Sequence, residues 1–302
     1  MMIQMIDLQS HTYMSDGEQS PEELVDDAIK RGLKAIAITD HDVVDGVQRA
    51  LNHAHGKIEV VSGIEIRCYE PEKGFKEIDV LGLLVNHKNS ELIALTEKGK
   101  KERISQKRKM IEKLQKIGFA ITFDEVAATV KGAFGRPHIA KFLLKKYPEK
   151  FKSVQDVFDA CIGYGKQAYV PRDENLPMKE AVRVIHAAGG ISILAHPRIY
   201  DTEDSLRLIQ LFKEADGDGI ETYYPYHLVF PQLNLDEKGN MELIKFYQGI
   251  AQKNKLLESG GCDHHGAKRN TLAALKIPME ILDKMKAARV RISTAESNSL
   301  LS

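Results

Sequence analysis

Short apolar segments rich in β-branched residues alternate with helical patterns along this chain, and that alternation limits its fold more than any other feature. Seven segments predict strands, at 1–6, 34–39, 57–66, 76–85, 190–195, 219–222 and 255–257. Helical patterns lie between most of them; the one at 21–31, for example, opens with Ser20 and Pro21, which are typical of a helix start. Strands that alternate with helices favour parallel β/α units. We therefore predict an α/β fold, a barrel or near-barrel built from seven such units.

The segment from 90 to 170 interrupts this rhythm. It predicts helices near 90–117, 123–131, 137–146 and 153–162, and no strand lies between them. We therefore expect a barrel formed by 1–89 and 171–302, with an all-helical insertion at 90–170. An excursion of this size at the catalytic end of a barrel can form one wall or a lid of the active site.

Charge and cysteine content narrow the range of functions. Basic and acidic residues balance at 43 each, so the formal net charge is +0. No global field would draw such a chain to nucleic acid or to a membrane, and anion binding must be local. The three cysteines are widely spaced and fit a reducing compartment. With no leader pattern and no run of about 18 apolar residues, we expect a cytoplasmic protein without a membrane partner or an obligate protein partner.

Residue types that bind metals follow the predicted strands. The candidates are His11 and Asp16 after the first strand, His41 after the second, Glu65 in the third, His196 after the fifth, and Asp263 and His265 after the seventh. One such residue would usually be ordinary polar surface. Because the carboxyl ends of parallel strands meet on one face, five strand ends that deliver these residues together indicate a site.

The chemistry of this set indicates clustered divalent ions. Neutral imidazoles and carboxylates are ligands of Zn²⁺, Mn²⁺ and Fe²⁺. Seven candidates exceed the ligand number of one ion, so we expect two or three ions with a carboxylate such as Glu65 as a bridge. Clustered ions suit phosphate ester hydrolysis because they generate a hydroxide at neutral pH and neutralise the phosphoryl oxygens and the leaving alkoxide.

Five motifs in order resemble those of the PHP (polymerase and histidinol phosphatase) family, over nearly the whole chain. They are DLQSHTYMSDG at 7–17, ITDHD at 38–42, GIEI at 63–66, AHPR at 195–198 and GCDHHG at 261–266. The resemblance implies a distorted (β/α)₇, TIM-like barrel with a three-metal cluster. It implies a first ion held by Gln9, His11, Glu65 and Asp263, a second by Glu65, Asp79 and His196, and a third by Asp16, His41 and His265. A metal-bound hydroxide would attack phosphorus, and Asp263 or a nearby His would manage the proton.

Two ligand positions depart from the family pattern. The family usually has His where this chain has Gln9 and where it has Asp79. Asp79 remains a competent hard ligand, whereas the amide oxygen of Gln9 is a poor ligand for Zn²⁺. We therefore expect two to three divalent ions, with the first held loosely or absent and with Mn²⁺ preferred; Zn²⁺, Fe²⁺ and Mg²⁺ are alternatives.

The insertion resembles the branch of stand-alone nucleotide phosphatases, through GRPHIA at 135–140, AYV at 168–170 and the glycine pair at 189–190. That branch acts on AMP and on 3′,5′-bisphosphate nucleotides, and some members trim short RNAs from the 5′ end. For the substrate phosphate we expect Arg136, His138 and Arg198, since the guanidinium fork matches phosphate oxygens. The predicted catalytic residues are Asp263, His196 and Arg198.

Two other functions stay open on sequence grounds. A phosphatase for a small metabolite such as histidinol phosphate has the same metal chemistry, and Gln9 allows a nucleotide-binding protein without turnover. The nine Lys and Arg residues between 98 and 116 could face RNA. Their Glu neighbours at helical spacing favour an ordinary solvated helix.

Overall fold

Eight strands form one sheet in the protein. The structure, a computed structural model, describes residues 4–130, 132–171, 176–267 and 269–299, and side chains only as far as 289. The strands are β1 (Met5–Asp7), β2 (Ala35–Ile38), β3 (Glu59–Glu70), β4 (Phe75–Leu83), β5 (Ile191–Leu194), β6 (Gly219–Tyr223), β7 (Leu257–Gly260) and β8 (Ile277–Pro278). Their order in the sheet is β7-β6-β5-β4-β3-β2-β1-β8. All seven predicted strands are present, although positions 1–3 of the first lie outside the described residues.

Helices flank the strands and fill the segment between β4 and β5. They are α1 (Pro21–Lys30), α2 (Asp45–Ala54), α3 (Ser90–Lys116), α4 (Phe123–Ala127), α5 (Arg136–Lys146), α6 (Val154–Val157), α7 (Met178–Ala187), α8 (Thr202–Glu214), α9 (Tyr226–Val229), α10 (Glu237–Asn254) and α11 (Glu280–Ser299). Helix α6 continues into a π-helical turn, Phe158–Ile162, so the helix predicted at 153–162 changes character midway.

The predicted barrel is confirmed, with one difference in strand direction. Strands β1, β2 and β3 run parallel to one another, as do β5, β6 and β7. Strand β4 is antiparallel to both of its neighbours, β3 and β5. The connection from β3 to β4 spans only residues 71–74, which is too short for the crossover that a parallel pair requires. The expectation of parallel units throughout was therefore wrong for β4.

The barrel nearly closes where the end of β7 meets the end of β1. The amide of Leu8 donates to the carbonyl of Gly260 over 3.0 Å. The next residue, Gly261, passes so close to Gln9 that an added Cβ would lie 2.3 Å from the Gln9 Cβ. Only glycine fits this approach, which brings the loop after β7 against the loop after β1.

The helices between β4 and β5 have an apolar core of their own. It includes Met110, Leu114, Val126, Leu143 and Ile162, all buried, and it is separate from the clusters beneath the sheet. Helix α3 joins this core to the barrel, because Leu92 near its other end packs in a barrel cluster. We propose on this basis the division into a barrel (1–89 and 171–302) and a helical insertion (90–170).

Candidate metal centre

Side chains that follow β1, β5 and β7 meet Glu65, which lies within β3, at the carboxyl end of the barrel. The Nε2 atom of His11 lies 3.0 Å from Glu65 Oε2 and 3.1 Å from Asp263 Oδ1. On the other side of the same carboxylate, His196 Nε2 lies 3.1 Å from Glu65 Oε1. All four residues are buried. Glu65 therefore occupies the middle of the cluster, as a bridging carboxylate would.

A second group adjoins the first through His11. His265 Nε2 lies 3.3 Å from Asp16 Oδ1, and His41 Nε2 lies 3.9 Å from Asp16 Oδ2. The His11 ring stacks on the rings of His41 and His265, with centroids 4.6 and 4.3 Å apart. Three sets have one ligand atom from each member within 4.8 Å of the others: His11, Asp16, His41 and His265; His11, Glu65 and Asp263; His41, Glu65 and Asp79.

Several buried polar atoms in this cluster make no well-aligned hydrogen bond among the described residues. They are Gln9 Oε1, Glu65 Oε2, both ring nitrogens of His11 and Nδ1 of His196. His11 Nε2 and Glu65 Oε2 are among them, although these two atoms lie only 3.0 Å apart. An unsatisfied buried polar atom costs about 1–3 kcal/mol. A divalent cation would satisfy these lone pairs and neutralise the carboxylates, so the residues present fit a metal centre.

The carboxylates are held in the ionised form that binds metals. Burial alone would raise the pKa of Glu65, but the facing rings of His41, His11 and His196 hold it well below its usual value. The pKa of Asp16 is likewise lowered, against the effect of burial, by His41 and His265. The same contacts raise the pKa of His11 well above its usual value and that of His196 to about 9, although burial of each ring acts in the opposite direction. The carboxylates and imidazoles are therefore charge-paired, and a divalent cation would bind in place of the imidazole protons.

Gln9 presents its nitrogen, not its oxygen, to the central carboxylate, Glu65. Its Nε2 donates to Glu65 Oε1 over 3.0 Å. A hydrogen-bond donor thus stands at the position where the family pattern supplies an imidazole ligand. The remaining candidate ligands for the first ion are His11, Glu65 and Asp263.

The two carboxylate oxygens of Asp79 face different neighbours, an arginine and a histidine. Arg67 Nε donates to Asp79 Oδ1, and Arg67 Nη1 pairs with Glu77 Oε2 at 2.9 Å. The second oxygen of Asp79, Oδ2, faces His196 Nε2 at 3.7 Å. One carboxylate oxygen of Asp79 therefore remains for an ion beside Glu65 and His196.

Two of the predicted ligands stand on strained backbone. His196 has φ of 28° and Asp263 has φ of 50°, in the left-handed region that non-glycine residues rarely adopt. Such conformations cost about 1–3 kcal/mol each and are frequent at functional sites. The amide of His196 donates to buried Glu221 Oε2 over 2.8 Å, which helps to hold this turn.

Further residues that contact the predicted ligands were absent from the predicted site: Arg67 and Glu221, described above, and Tyr224 and Arg269. Tyr224 and Arg269 both donate to Asp263 Oδ2, over 2.6 and 2.9 Å. Glu221 was recognisable as a charged residue inside a predicted buried strand. Arg269 lies six positions after Asp263, whereas Tyr224 carries no signal that separates it from core aromatics.

Most of the predicted ligands line a cavity of about 940 Å³. His138, Lys141 and Arg269 line it together with these ligands. His138 Nδ1 accepts from the Gly135 amide over 3.1 Å, so the proton of the neutral ring is on Nε2. Burial lowers the pKa of His138, which keeps the ring in this neutral form.

The two predicted arginines differ in position. Arg136 lines a smaller cavity that adjoins the metal cluster at Asp16 and His41. Arg198 lines neither cavity; its Nη1 donates to the carbonyl of Tyr200 over 2.6 Å. Because this guanidinium binds the backbone two residues further along the chain, the geometry gives no support to a phosphate-binding role for Arg198.

The sequence profile of the PHP domain matches residues 7–188, more than half of the chain. The chain belongs to the PHP family. The predicted family is thus confirmed, and with it a metal-dependent phosphoesterase.

Curated relatives and a solved structure agree with this assignment. A 5′-3′ exoribonuclease from Haemophilus influenzae is 33% identical over 223 residues, which cover 73% of this chain and 79% of that protein. A 3′,5′-nucleoside bisphosphate phosphatase from Chromobacterium violaceum is 29% identical over 265 residues, covering 86% and 87%. The crystal structure of a candidate metal-dependent phosphoesterase from Bifidobacterium adolescentis matches with a TM-score of 0.77 at 25% identity, covering 95% and 96%.

The predicted enzyme class, a hydrolase of phosphate esters, is likewise confirmed by these relatives. Among the described residues, no helix combines the length and apolar character needed to cross a membrane.

Proposed function

We propose that this protein hydrolyses phosphate monoesters of nucleotides, such as AMP and 3′,5′-bisphosphate nucleotides, or acts on the 5′ ends of short oligonucleotides. One observation carries the proposal. A buried cluster of imidazoles and carboxylates lines a cavity whose wall includes His138 and Lys141 of the insertion. The names of the relatives support the substrate class, since one acts on RNA and one on nucleoside bisphosphates.

We assign the ions to the three groups of ligands unequally. The set around Asp16, with His41 and His265, offers one site. Glu65 and Asp79 offer a second: His41 groups with them, and His196 Nε2 lies 3.1 Å from Glu65 Oε1 and 3.7 Å from Asp79 Oδ2. Gln9 turns a hydrogen-bond donor toward Glu65. The set formed by His11, Glu65 and Asp263 therefore holds an ion weakly. Divalent ions bound here supply Lewis-acid activation of water and charge neutralisation at phosphorus. The many carboxylate oxygens favour a hard ion, with Mn²⁺ first.

Protein side chains bind the phosphoryl group and handle the protons. Arg269 and the Nε2–H of His138 donate to phosphoryl oxygens, and Lys141 adds positive charge. Asp263 accepts the proton of the attacking water, while Tyr224 and Arg269 fix its carboxylate by hydrogen bonds to Oδ2. The water oxygen forms a new bond to phosphorus, the ester P–O bond breaks, and the leaving alkoxide takes up a proton.

The test is phosphate release from AMP, adenosine 3′,5′-bisphosphate, a 5′-phosphorylated short RNA and histidinol phosphate, with Mn²⁺ and with chelator. We expect metal-dependent turnover of the nucleotides and its loss in His196→Ala. Turnover of histidinol phosphate alone would indicate a metabolite phosphatase. Binding of AMP without turnover of any substrate would indicate a nucleotide-binding protein.

A further inference from the structure

A second cavity, of about 340 Å³, opens from the metal centre between the barrel and the insertion. We call it the arm. It meets the metal centre at Asp16 and His41, and its far end is lined by Tyr164, Tyr169 and Pro171. Its volume falls in the range of about 300–1,000 Å³ that small-molecule sites occupy.

The arm is a positive environment. Five cationic side chains line it against three acidic ones: Arg67, Lys76, Arg103, Lys107 and Arg136, against Asp16, Asp42 and Glu77. Arg103 and Lys107 come from the helix expected to be solvated, but both are buried. Arg103 Nη2 donates to the carbonyl of His41 over 3.0 Å, so this part of α3 faces the site.

Two tyrosines at the far end form an aromatic surface. The ring centroids of Tyr164 and Tyr169 lie 5.2 Å apart. The side chain of Tyr164 is 67% exposed, the largest exposure among the large hydrophobic residues of the described chain. Lys76, from the barrel, donates to the Tyr164 hydroxyl over 3.0 Å. The rings therefore stand at the junction of barrel and insertion, beside the arm.

Arg136 lines the arm beside this aromatic surface. Its guanidinium lies 5.8 Å from the Tyr169 ring centroid and 5.9 Å from that of Phe158. Within the described residues no hydrogen bond or ion pair engages it, although the residue is half-buried. Arg67 and Arg103, by contrast, are paired with Glu77 and Asp42. A partly desolvated cation without a counter-charge is suited to bind an anionic group of a ligand.

We propose that the arm binds the part of a nucleotide that lies beyond the scissile phosphate. The base stacks on Tyr164 and Tyr169, and a further phosphate on the same ribose pairs with Arg136. This rests on the proposed function, and it makes nucleotides with two phosphates the preferred class over simple sugar phosphates. The further phosphate is a terminal monoester or the first diester of an oligonucleotide; both present the same anionic oxygens to Arg136.

The test compares kcat/KM for ribose 5-phosphate, AMP, adenosine 3′,5′-bisphosphate and the dinucleotide 5′-pApA, in the Mn²⁺-loaded protein. We expect the values to rise from ribose 5-phosphate to AMP and again to the substrates with two phosphates. Tyr164→Ala should lower the ratio of AMP to ribose 5-phosphate roughly 10-fold, since base stacking is lost. Arg136→Ala should lower the ratio of the bisphosphate to AMP by a similar factor, roughly 10-fold. The relative rates for the bisphosphate and 5′-pApA identify which phosphate the arm prefers.

Matched controls are Phe246→Ala, an exposed aromatic on α10, and Lys145→Ala, an exposed cation on α5; neither residue lines the arm. If both ratios are unchanged in Tyr164→Ala and Arg136→Ala, the arm is not a substrate site, although the proposed function stands. If no substrate is hydrolysed, the proposed function fails, and titration calorimetry with 3′-AMP tests the arm independently. Weaker 3′-AMP binding in both variants supports the arm, and equal binding overturns it.

Discussion

The metal cavity and the arm adjoin each other but carry opposite charge. Six acidic side chains line the metal cavity against three Lys or Arg residues, whereas cationic side chains predominate in the arm. A nucleotide with two phosphates carries negative charge at each of them and needs positive charge near both. We propose that the protein meets this need in two ways, through bound ions at one end and through its own side chains at the other.

The two regions also depend on different parts of the fold. The metal ligands follow barrel strands, whose ends are fixed by the sheet. The arm exists only because the insertion docks on the barrel. A Cβ on Gly132 would lie 1.5 Å from the carbonyl oxygen of Tyr13, so glycine is required at this contact. Changes in one region should therefore spare the other, which the Leu143→Ala and Gln9→His predictions below test directly.

The largest effect is expected for Glu65→Gln, which removes the charge shared by two ligand sets. Metal-dependent charge stabilisation supplies several kcal/mol, so we expect kcat/KM to fall at least about 100-fold, with loss of bound metal. Kinetics and elemental analysis of the dialysed protein measure both. The control is Glu149→Gln at an exposed position. Full metal content in Glu65→Gln would contradict the bridging role.

Leu143→Ala should disturb the arm while the metal centre stays intact. Leu143 is fully buried in the core of the insertion, and such truncations cost about 2–5 kcal/mol. We expect a lower free energy of unfolding by denaturant titration and weaker discrimination between AMP and ribose 5-phosphate, at unchanged metal content. Exposed Leu206→Ala on α8 is the matched control. Loss of metal in Leu143→Ala would mean that the two regions are not separable.

Mn²⁺ should stabilise the metal cavity against heat. A ligand at one hundred times its Kd adds about 2.7 kcal/mol, which for a chain of this size is a rise in Tm on the order of 5 °C. Scanning calorimetry with Mn²⁺ and with chelator measures it. We expect a smaller rise in Glu65→Gln; an equal rise would place the binding ions elsewhere.

Gln9→His should strengthen metal binding by His11, Glu65 and Asp263, because it replaces a hydrogen-bond donor with an imidazole ligand. A gain of about 1.4 kcal/mol in ion affinity corresponds to a tenfold lower Kd. We expect additional metal per chain at limiting Mn²⁺, measured by elemental analysis, while the base preference set by the arm is unchanged. Gln155→His, at an exposed position, controls for a new surface imidazole. Unchanged metal content would show that Gln9 does not limit this set.

Much of the metal cavity could be predicted because its signals are local. A strand that ends in His or Asp is visible in a few residues, and the parallel-strand rule brings such ends together. His11, His41, Glu65, His196 and Asp263 were predicted in this way, and the structure brings them together. Arg67 and Glu221 were missed because they act through Asp79 and His196, and those contacts join residues far apart in the chain.

The sequence by itself determined the strand and helix order, the barrel and most residues of the proposed metal centre, since hydrophobic periodicity and strand-end position are properties of short segments. Only the tertiary structure decided which cations face the site. Along α3 every Lys and Arg looks equally solvated, yet Arg103 is buried against His41, while Arg198, adjacent to Pro197, turns away. Side-chain direction depends on which surfaces pack together, and the arm forms where barrel and insertion meet, so no segment of the sequence contains it.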